Sequence, residues 1–262
     1  MSSNKCLLMD AGNSSIKLAL AGKNGLGTSF ELPTDMRETS DSLGLKILAF
    51  FEQEQIKPHD VHAWLIASVV PRLNPVIKRS GKNICSAKVY QVPRDLHPAI
   101  TNRYDNPGEL GADRLVSAFA ARMIYPHEGI IVVDFGTATT FDCVIKKDYY
   151  GGLICPGLYS AAQSLNTLTA RLPWFSMEEA GDTLEICRGT ARGLAQGTVF
   201  GFAAMTDGLI SGLKKLMPQD TLVVATGGGA DVLIPLCGYV DELQPALLHQ
   251  GLLFTAIDNK IL

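Results

Sequence analysis

The chain has 262 residues, 47% of them hydrophobic and 19% charged, with a net charge of -3. At about 150 residues per domain it holds one large domain or two small ones, and a chain of this size folds without staples. The apolar content excludes a mainly disordered chain, and the slight negative charge supplies no basic field for bulk nucleic-acid binding.

Apolar runs at 5–9 and 14–20 predict two short strands joined by a turn at Asp10-Ala11-Gly12-Asn13, and 28–32 adds a third strand. Leu43, Ile47, Phe50 and Phe51 share one face of a helix over 41–55. Strands are expected at 64–68 and 87–92, and a helix over 109–125. The unbroken run Ile130-Ile131-Val132-Val133 is typical of a strand covered on both faces. Strands at 139–145 and 150–155 follow it. Helices are expected over 158–170 and 190–216, with their apolar positions read as core. A buried strand at 221–225 then ends in Thr226-Gly227-Gly228-Gly229, and a helical tail covers 245–257.

The six cysteines include no C-x-x-C pair and read as small buried hydrophobes. The five histidines lack metal-ligand spacing and read as surface or structural residues. No apolar leader precedes Asp10, and the uncharged stretch 149–170 carries too many glycines and polar residues for a membrane span. The cytoplasm is the expected compartment, with no membrane partner.

The chain contains an internal echo. Leu7-Leu-Met-Asp10-Ala-Gly12-Asn-Ser-Ser15 resembles Val132-Val133-Asp134-Phe-Gly136-Thr-Ala-Thr139, and the two lie about half the chain apart. Each reads as apolar strand, Asp-x-Gly, small polar residues and a second strand. This predicts a duplicated α/β unit, with halves at 1–115 and 116–262.

Such a turn can make a phosphate site. Gly12 and Gly136 let backbone approach an anion with no Cβ in the way, and successive N–H groups can form an anion nest. Asn13, Ser14, Ser15, Thr137 and Thr139 add donors. Asp10 and Asp134 repel phosphate and make sense with a cation in between. Two such turns facing each other would grip a nucleotide tail. No Walker A loop, G-x-G-x-x-G, G-x-S-x-G or H-E-x-x-H occurs. A third element, Tyr104-Asp-Asn-Pro107-Gly-Glu-Leu-Gly111-Ala-Asp113-Arg114, is a loop leading into a helix. There Asp113 can accept a hydroxyl proton and Arg114 can pair with a carboxylate or phosphate. An aspartate settled in a first helical turn beside a solvated arginine is the plainer alternative.

These residues together resemble the type III pantothenate kinases, of the acetate and sugar kinase, Hsp70 and actin superfamily. The resemblance runs nearly end to end. It includes Asp10-x-Gly-Asn-Ser, Ser68-Val-Val-Pro71, Asn106-Pro-x-x-Leu-Gly-Ala-Asp-Arg114 and Asp134-Phe-Gly-Thr-Ala-Thr139. It continues through Gly151-Gly-x-Ile-x-Pro-Gly157, Thr169-Ala-Arg-Leu-Pro173 and Thr226-Gly-Gly. It implies two duplicated ribonuclease-H-like (actin-like ATPase) domains, with mixed sheets flanked by helices. It also implies transfer of the ATP γ-phosphate to the pantothenate hydroxyl, giving 4'-phosphopantothenate, the first step toward coenzyme A.

Carried over by the resemblance, Asp113 matches the proton acceptor. Tyr104, Gly111, Ala112, Arg114 and Thr190 match substrate contacts. Asp10, Ala11, Gly12, Asn13, Ser14, Ser15, Ile16 and Lys17 match the first ATP loop, and Thr137 a second ATP contact. Asp134 matches the ligand of a monovalent cation, K+ or NH4+, used besides Mg2+. The family forms homodimers that share the active site. Ser14 stands where threonine is common, and Gly189 where asparagine or serine is frequent. The alternative is a catalytically silent nucleotide-binding regulator on the same fold, against which stands the presence of Asp113.

Overall fold

The computed structural model describes residues 5–169 and 171–262. They form two compact units. The first runs up to Ile124 and takes back Ala246–Leu262 from the C-terminus; the second is Tyr125–Pro245.

The first unit contains β1 (Lys5–Ala11), β2 (Ser15–Gly22), β3 (Gly25–Pro33), α1 (Ser40–Gln53), β4 (Val61–Ser68) and α2 (Asn74–Cys85). β5 (Lys88–Val92), a two-residue strand β6 (Thr101–Asn102), α3 (Ala112–Ile124) and the C-terminal α7 (Leu247–Asp258) complete it. Its sheet order is β3-β2-β1-β4-β5. β1 is antiparallel to β2 and parallel to β4.

Side chains alternate across a strand, so β1 feeds two cores. Leu7 and Met9 join Trp64, Ile66, Phe50 and Phe51 on the α1–α2 face. Cys6 and Leu8 join Ala63, Leu65, Val116 and Leu252 on the α3–α7 face. Phe30 stacks on Phe50 with ring centroids 5.2 Å apart. Thr39 caps α1 by accepting from the Ser42 N–H at 3.2 Å. The C-terminal segment is tied down where His62 Nε2 lies 2.9 Å from the Ile261 carbonyl.

The second unit contains β7 (Gly129–Phe135), β8 (Ala138–Ile145), β9 (Asp148–Pro156), α4 (Leu158–Leu168) and α5 (Thr190–Lys214). β10 (Thr221–Thr226), the single turn α6 (Ala230–Leu233) and β11 (Glu242–Leu243) follow. Its own strands run β9-β8-β7-β10-β11, with β7 antiparallel to β8 and parallel to β10. This repeats the order and directions of the first unit, β7 taking the place of β1. Phe135, Phe141, Val223 and Ala225 pack with Leu158 and Ile210. The fold class expected from the sequence, duplicated α/β units with mixed sheets flanked by helices, is the one observed.

Three features differ from the expectations. The compact units are not the halves 1–115 and 116–262: α3 stays whole with the first unit, and α7 returns to cover the face that α3 leaves open. Helix α2 had no expected counterpart; it buries Ile77, Ser80 and Gly81 and packs Val76 and Ile84 against the same core. The apolar positions of 158–170 are not core: only Leu158 is buried in α4, Leu168 is 82% exposed, and residue 170 lies outside the described residues. Those of α5 are core at Ala195, Val199, Ala203 and Ile210. Among the described residues, no helix is long and apolar enough to cross a membrane.

Gly81 tests the packing of α2. A Cβ there would lie 2.6 Å from Val89 Cγ2 and 3.1 Å from two ring carbons of the fully buried Trp64. Alanine in place of helical glycine ordinarily gains about 1 kcal/mol, but overpacking a core costs about 1–3 kcal/mol. The Trp64 ring has nowhere to go, so the cost wins. Gly81→Ala lowers the urea midpoint, and an unchanged or raised midpoint would contradict this packing.

Candidate active site

The first Asp-x-Gly turn closes the β1–β2 hairpin. Asp10 stands opposite Lys17 in the ladder, and the Gly12 N–H donates to the Ser15 carbonyl at 3.0 Å. Thr34, just past β3, buttresses the turn from below. Its hydroxyl donates to the Gly12 carbonyl at 2.7 Å, and its N–H to the Ser14 carbonyl at 3.0 Å. The carbonyls of Gly12, Ser14 and Ser15 are thus engaged inside the protein. Asn13 and Ser14 sit exposed at the tip. With its carbonyls turned inward, the tip presents amide, hydroxyl and N–H donors, the chemistry an anion needs. Ala11 and Ile16 are buried flanks of the same turn. Thr34 was not anticipated; the only sequence signal is a hydroxyl residue directly after Pro33 at the end of β3.

The second constellation is the start of α3. The Arg114 N–H donates to Asp113 Oδ1 at 2.8 Å, and the Leu115 N–H donates to the Gly111 carbonyl at 3.2 Å. A Cβ on Gly111 would collide with Asp113 Oδ1, so glycine there is what lets the carboxylate fold back over the chain. Arg114 is only 8% exposed, and its guanidinium lies 5.9 Å from the centre of the Tyr104 ring, a cation–π approach. The Tyr104 N–H donates to Asn102 Oδ1 at 2.9 Å. The structure therefore brings Tyr104, Gly111, Asp113 and Arg114 together, with Ala112 buried beneath them.

Burial raises the Asp113 carboxyl above its ordinary value, and the Arg114 N–H and guanidinium only partly offset this. A carboxylate so placed is a better proton acceptor than an exposed one.

In the second unit Asp134 is the penultimate residue of β7 and is half-buried. Thr226 of β10 lies beside it in the parallel ladder. Gly227 follows with φ +94, and a Cβ on it would meet Asp134 Oδ1 and the Phe135 backbone. Glycine is thus required at Gly227 by both conformation and space. The Gly229 N–H donates to the Phe135 carbonyl at 2.9 Å, and Ser160 Oγ donates to the Thr137 carbonyl at 2.7 Å. Thr137 itself is exposed.

Among the described residues no cluster of three His, Cys, Asp or Glu could hold a metal ion. Behind Asp134 lies a residue the sequence reading missed. Asp142 is 1% exposed and accepts from Tyr149 Oη at 2.7 Å and Thr140 Oγ1 at 3.2 Å; Thr140 stands directly opposite Asp134. Its signal was an acid inside the apolar run Phe141-Asp142-Cys143-Val144.

Thr190 takes part in none of these contacts. It is the exposed first residue of α5, close in sequence to Arg192, which pairs with Glu185.

Comparison with known proteins points one way. The family model described as type III pantothenate kinase matches residues 6–212. A type III pantothenate kinase from Nitratidesulfovibrio vulgaris is 45% identical over 94% of both chains. One from Oleidesulfovibrio alaskensis is 42% identical over 97% of both. Among solved structures, one described as a conserved Baf family transcriptional activator from Campylobacter jejuni matches with TM-score 0.61 at 21% identity, covering 98% of this chain and all of that one. A ROK family glucokinase from Streptomyces griseus matches with TM-score 0.53 at 13% identity, covering 95% and 97%. The two structures share the fold.

The Asp113 environment has a thermodynamic consequence. A carboxyl whose folded value is raised stabilises the fold in its protonated form, fully below the unfolded value, and that contribution is lost as pH rises through the folded value. At pH 7 the ionised, desolvated carboxylate therefore weakens the fold. Asp113→Asn melts at a higher temperature than the parent at pH 7, and the gap closes as pH falls below the ordinary aspartate range. A lower melting temperature at pH 7 would contradict the assigned shift.

Proposed function

Since the chain belongs to the type III pantothenate kinase family, we propose that Asp113 is the base of its reaction and that the two Asp-x-Gly turns serve its nucleotide and cation. The activity is ATP-dependent phosphorylation of pantothenate to 4'-phosphopantothenate, on the way to coenzyme A. Use of ATP with Mg2+ and a monovalent cation is a trait of the family.

Phosphoryl transfer asks a protein mostly for positioning and for charge stabilisation, because its transition state is loose. In our reading, the Asp10–Lys17 turn takes the phosphates on its exposed donors, and Thr137 gives the nucleotide a second contact. Asp134 holds the monovalent cation, K+ or NH4+, which screens phosphate charge when bound. Tyr104, Gly111, Ala112 and Thr190 contact pantothenate, and Arg114 supplies positive charge for an anionic group of the substrates. Asp113 accepts the proton of the pantothenate hydroxyl as its oxygen attacks phosphorus. The observation that carries this reading is the seat of Asp113: half-buried at the start of α3, held by the Arg114 N–H and allowed room only by Gly111.

We also assign the chain a homodimeric state in which the partner completes the pantothenate site. The second unit supports this by exposing large apolar side chains, among them Ile154, Leu168 and the 78% exposed Trp174. Beside them is a cavity of about 660 Å³ lined by Tyr159, Ala162, Trp174 and Phe175. The cytoplasm is the assigned compartment, supported by six free cysteines.

The experiment is Asp113→Asn assayed for turnover and nucleotide binding together. Loss of the base lowers kcat by about a hundredfold or more, while calorimetric affinity for ATP stays at the parent value. A variant that turns over at the parent rate would remove Asp113 from the mechanism.

A further inference from the structure

The C-terminal helix α7 touches both parts of the site that the first unit carries. His249 on α7 is 7% exposed, and its Nε2 lies 3.2 Å from the Lys17 carbonyl oxygen, at the closing end of the Asp10–Lys17 turn. A carbonyl only accepts, so the proton sits on Nε2. Burial, with the Lys17 charge nearby, holds the imidazole below its ordinary protonation range, so the ring is a neutral donor at pH 7. Two residues on, Gly251 presses against α3: a Cβ there would collide with the Val116 carbonyl and lie 2.7 Å from Val116 Cγ1. One turn further, Phe254 meets Phe119 edge-on, with ring centroids 6.5 Å apart. Helix α3 is the one that opens with Asp113. The same short helix is therefore locked to the base-bearing helix by close packing and to the phosphate turn by one hydrogen bond.

A buried imidazole costs desolvation that a leucine of similar volume would avoid. The other buried residues of α7 on the sheet, Leu252, Leu253 and Ala256, make apolar contacts. What the imidazole adds is a directional bond to the backbone of Lys17. We propose that His249 is a positioning residue: its bond to the Lys17 carbonyl fixes the nucleotide turn relative to α3, and hence the bound phosphates relative to Asp113. This rests on the assignment of the Asp10–Lys17 turn to ATP.

The test compares His249→Leu, His249→Gln and His249→Asn in the full chain, with Asp10→Ala as the reference for the turn itself. Steady-state kinetics and melting temperatures are measured for each. Glutamine places an amide donor where Nε2 stood; asparagine is a donor too short to reach; leucine fills space without donating. Loss of one hydrogen bond that positions ligand corresponds to about a three- to tenfold rise in KM. The expected result is that rise in KM for ATP in the Leu and Asn variants, with KM for pantothenate unchanged, and recovery in the Gln variant.

A purely structural histidine would lower the melting temperature in all three and leave KM for ATP at the parent value, which overturns the proposal. Should the Leu variant fail to fold, the contrast of Asn with Gln decides by itself. If Asp10→Ala raises KM for ATP while the His249 variants do not, only the positioning role falls. If neither does, the assignment of the turn falls and takes the proposal with it.

Discussion

A strand buried on both faces can hold nothing polar along its length, and this constraint organises the molecule. Cys6, Leu7, Leu8 and Met9 in β1 are fully buried, as are Ile130, Ile131, Val132 and Val133 in β7. After its apolar run each strand turns polar near its C-terminal end, in both cases at an aspartate followed two residues later by glycine. Chemistry in such sheets gathers beyond the strand ends. The matching strand orders of the two units put an Asp-x-Gly turn at the same place in each.

Close backbone approach then converts packing into electrostatics. Gly111 makes room for the Asp113 carboxylate, and Gly227 brings backbone against Asp134. Asp113 is held in partly desolvated surroundings, where a carboxylate weakens the fold and strengthens as a base. Binding and proton-transfer sites regularly carry such local costs. The rest of the first unit supplies rigidity: Thr34 holds the first Asp-x-Gly turn, α3 is buried from Arg114 to Ala121, and α7 packs against it.

The parts legible in the sequence were those written in short local patterns. The apolar run 130–133, the Asp-x-Gly turns and the loop before Asp113 announce strands and sites through residues a few positions apart. The duplication was legible because both copies kept the strand–turn–strand pattern. Helix α2 was not read from the sequence, since Ser80 and Gly81 interrupt the apolar face formed by Ile77 and Ile84. Nor was the return of α7 to the first unit, because an apolar tail helix fits either unit equally well by pattern. Thr34 and His249 act through partners distant in sequence, the Gly12 and Lys17 carbonyls, and Asp142 through Tyr149 across the β8–β9 hairpin. A hydroxyl, an acid or an imidazole shows its role only once the fold supplies the other half of the bond. The strands and turns were therefore readable, and the partners that hold them in place were not.

The chain belongs to the type III pantothenate kinases, and the reading proposed above gives both turns and the Asp113 constellation a part in one reaction, in which positioning and charge screening do most of the catalytic work. The most direct test of that account is ADP release by the purified protein with ATP and Mg2+, with and without pantothenate, in potassium and in sodium buffer. The account predicts ADP formation that requires pantothenate and is supported by potassium but not by sodium. Folded protein that binds ATP yet releases no pantothenate-dependent ADP in either salt would contradict it.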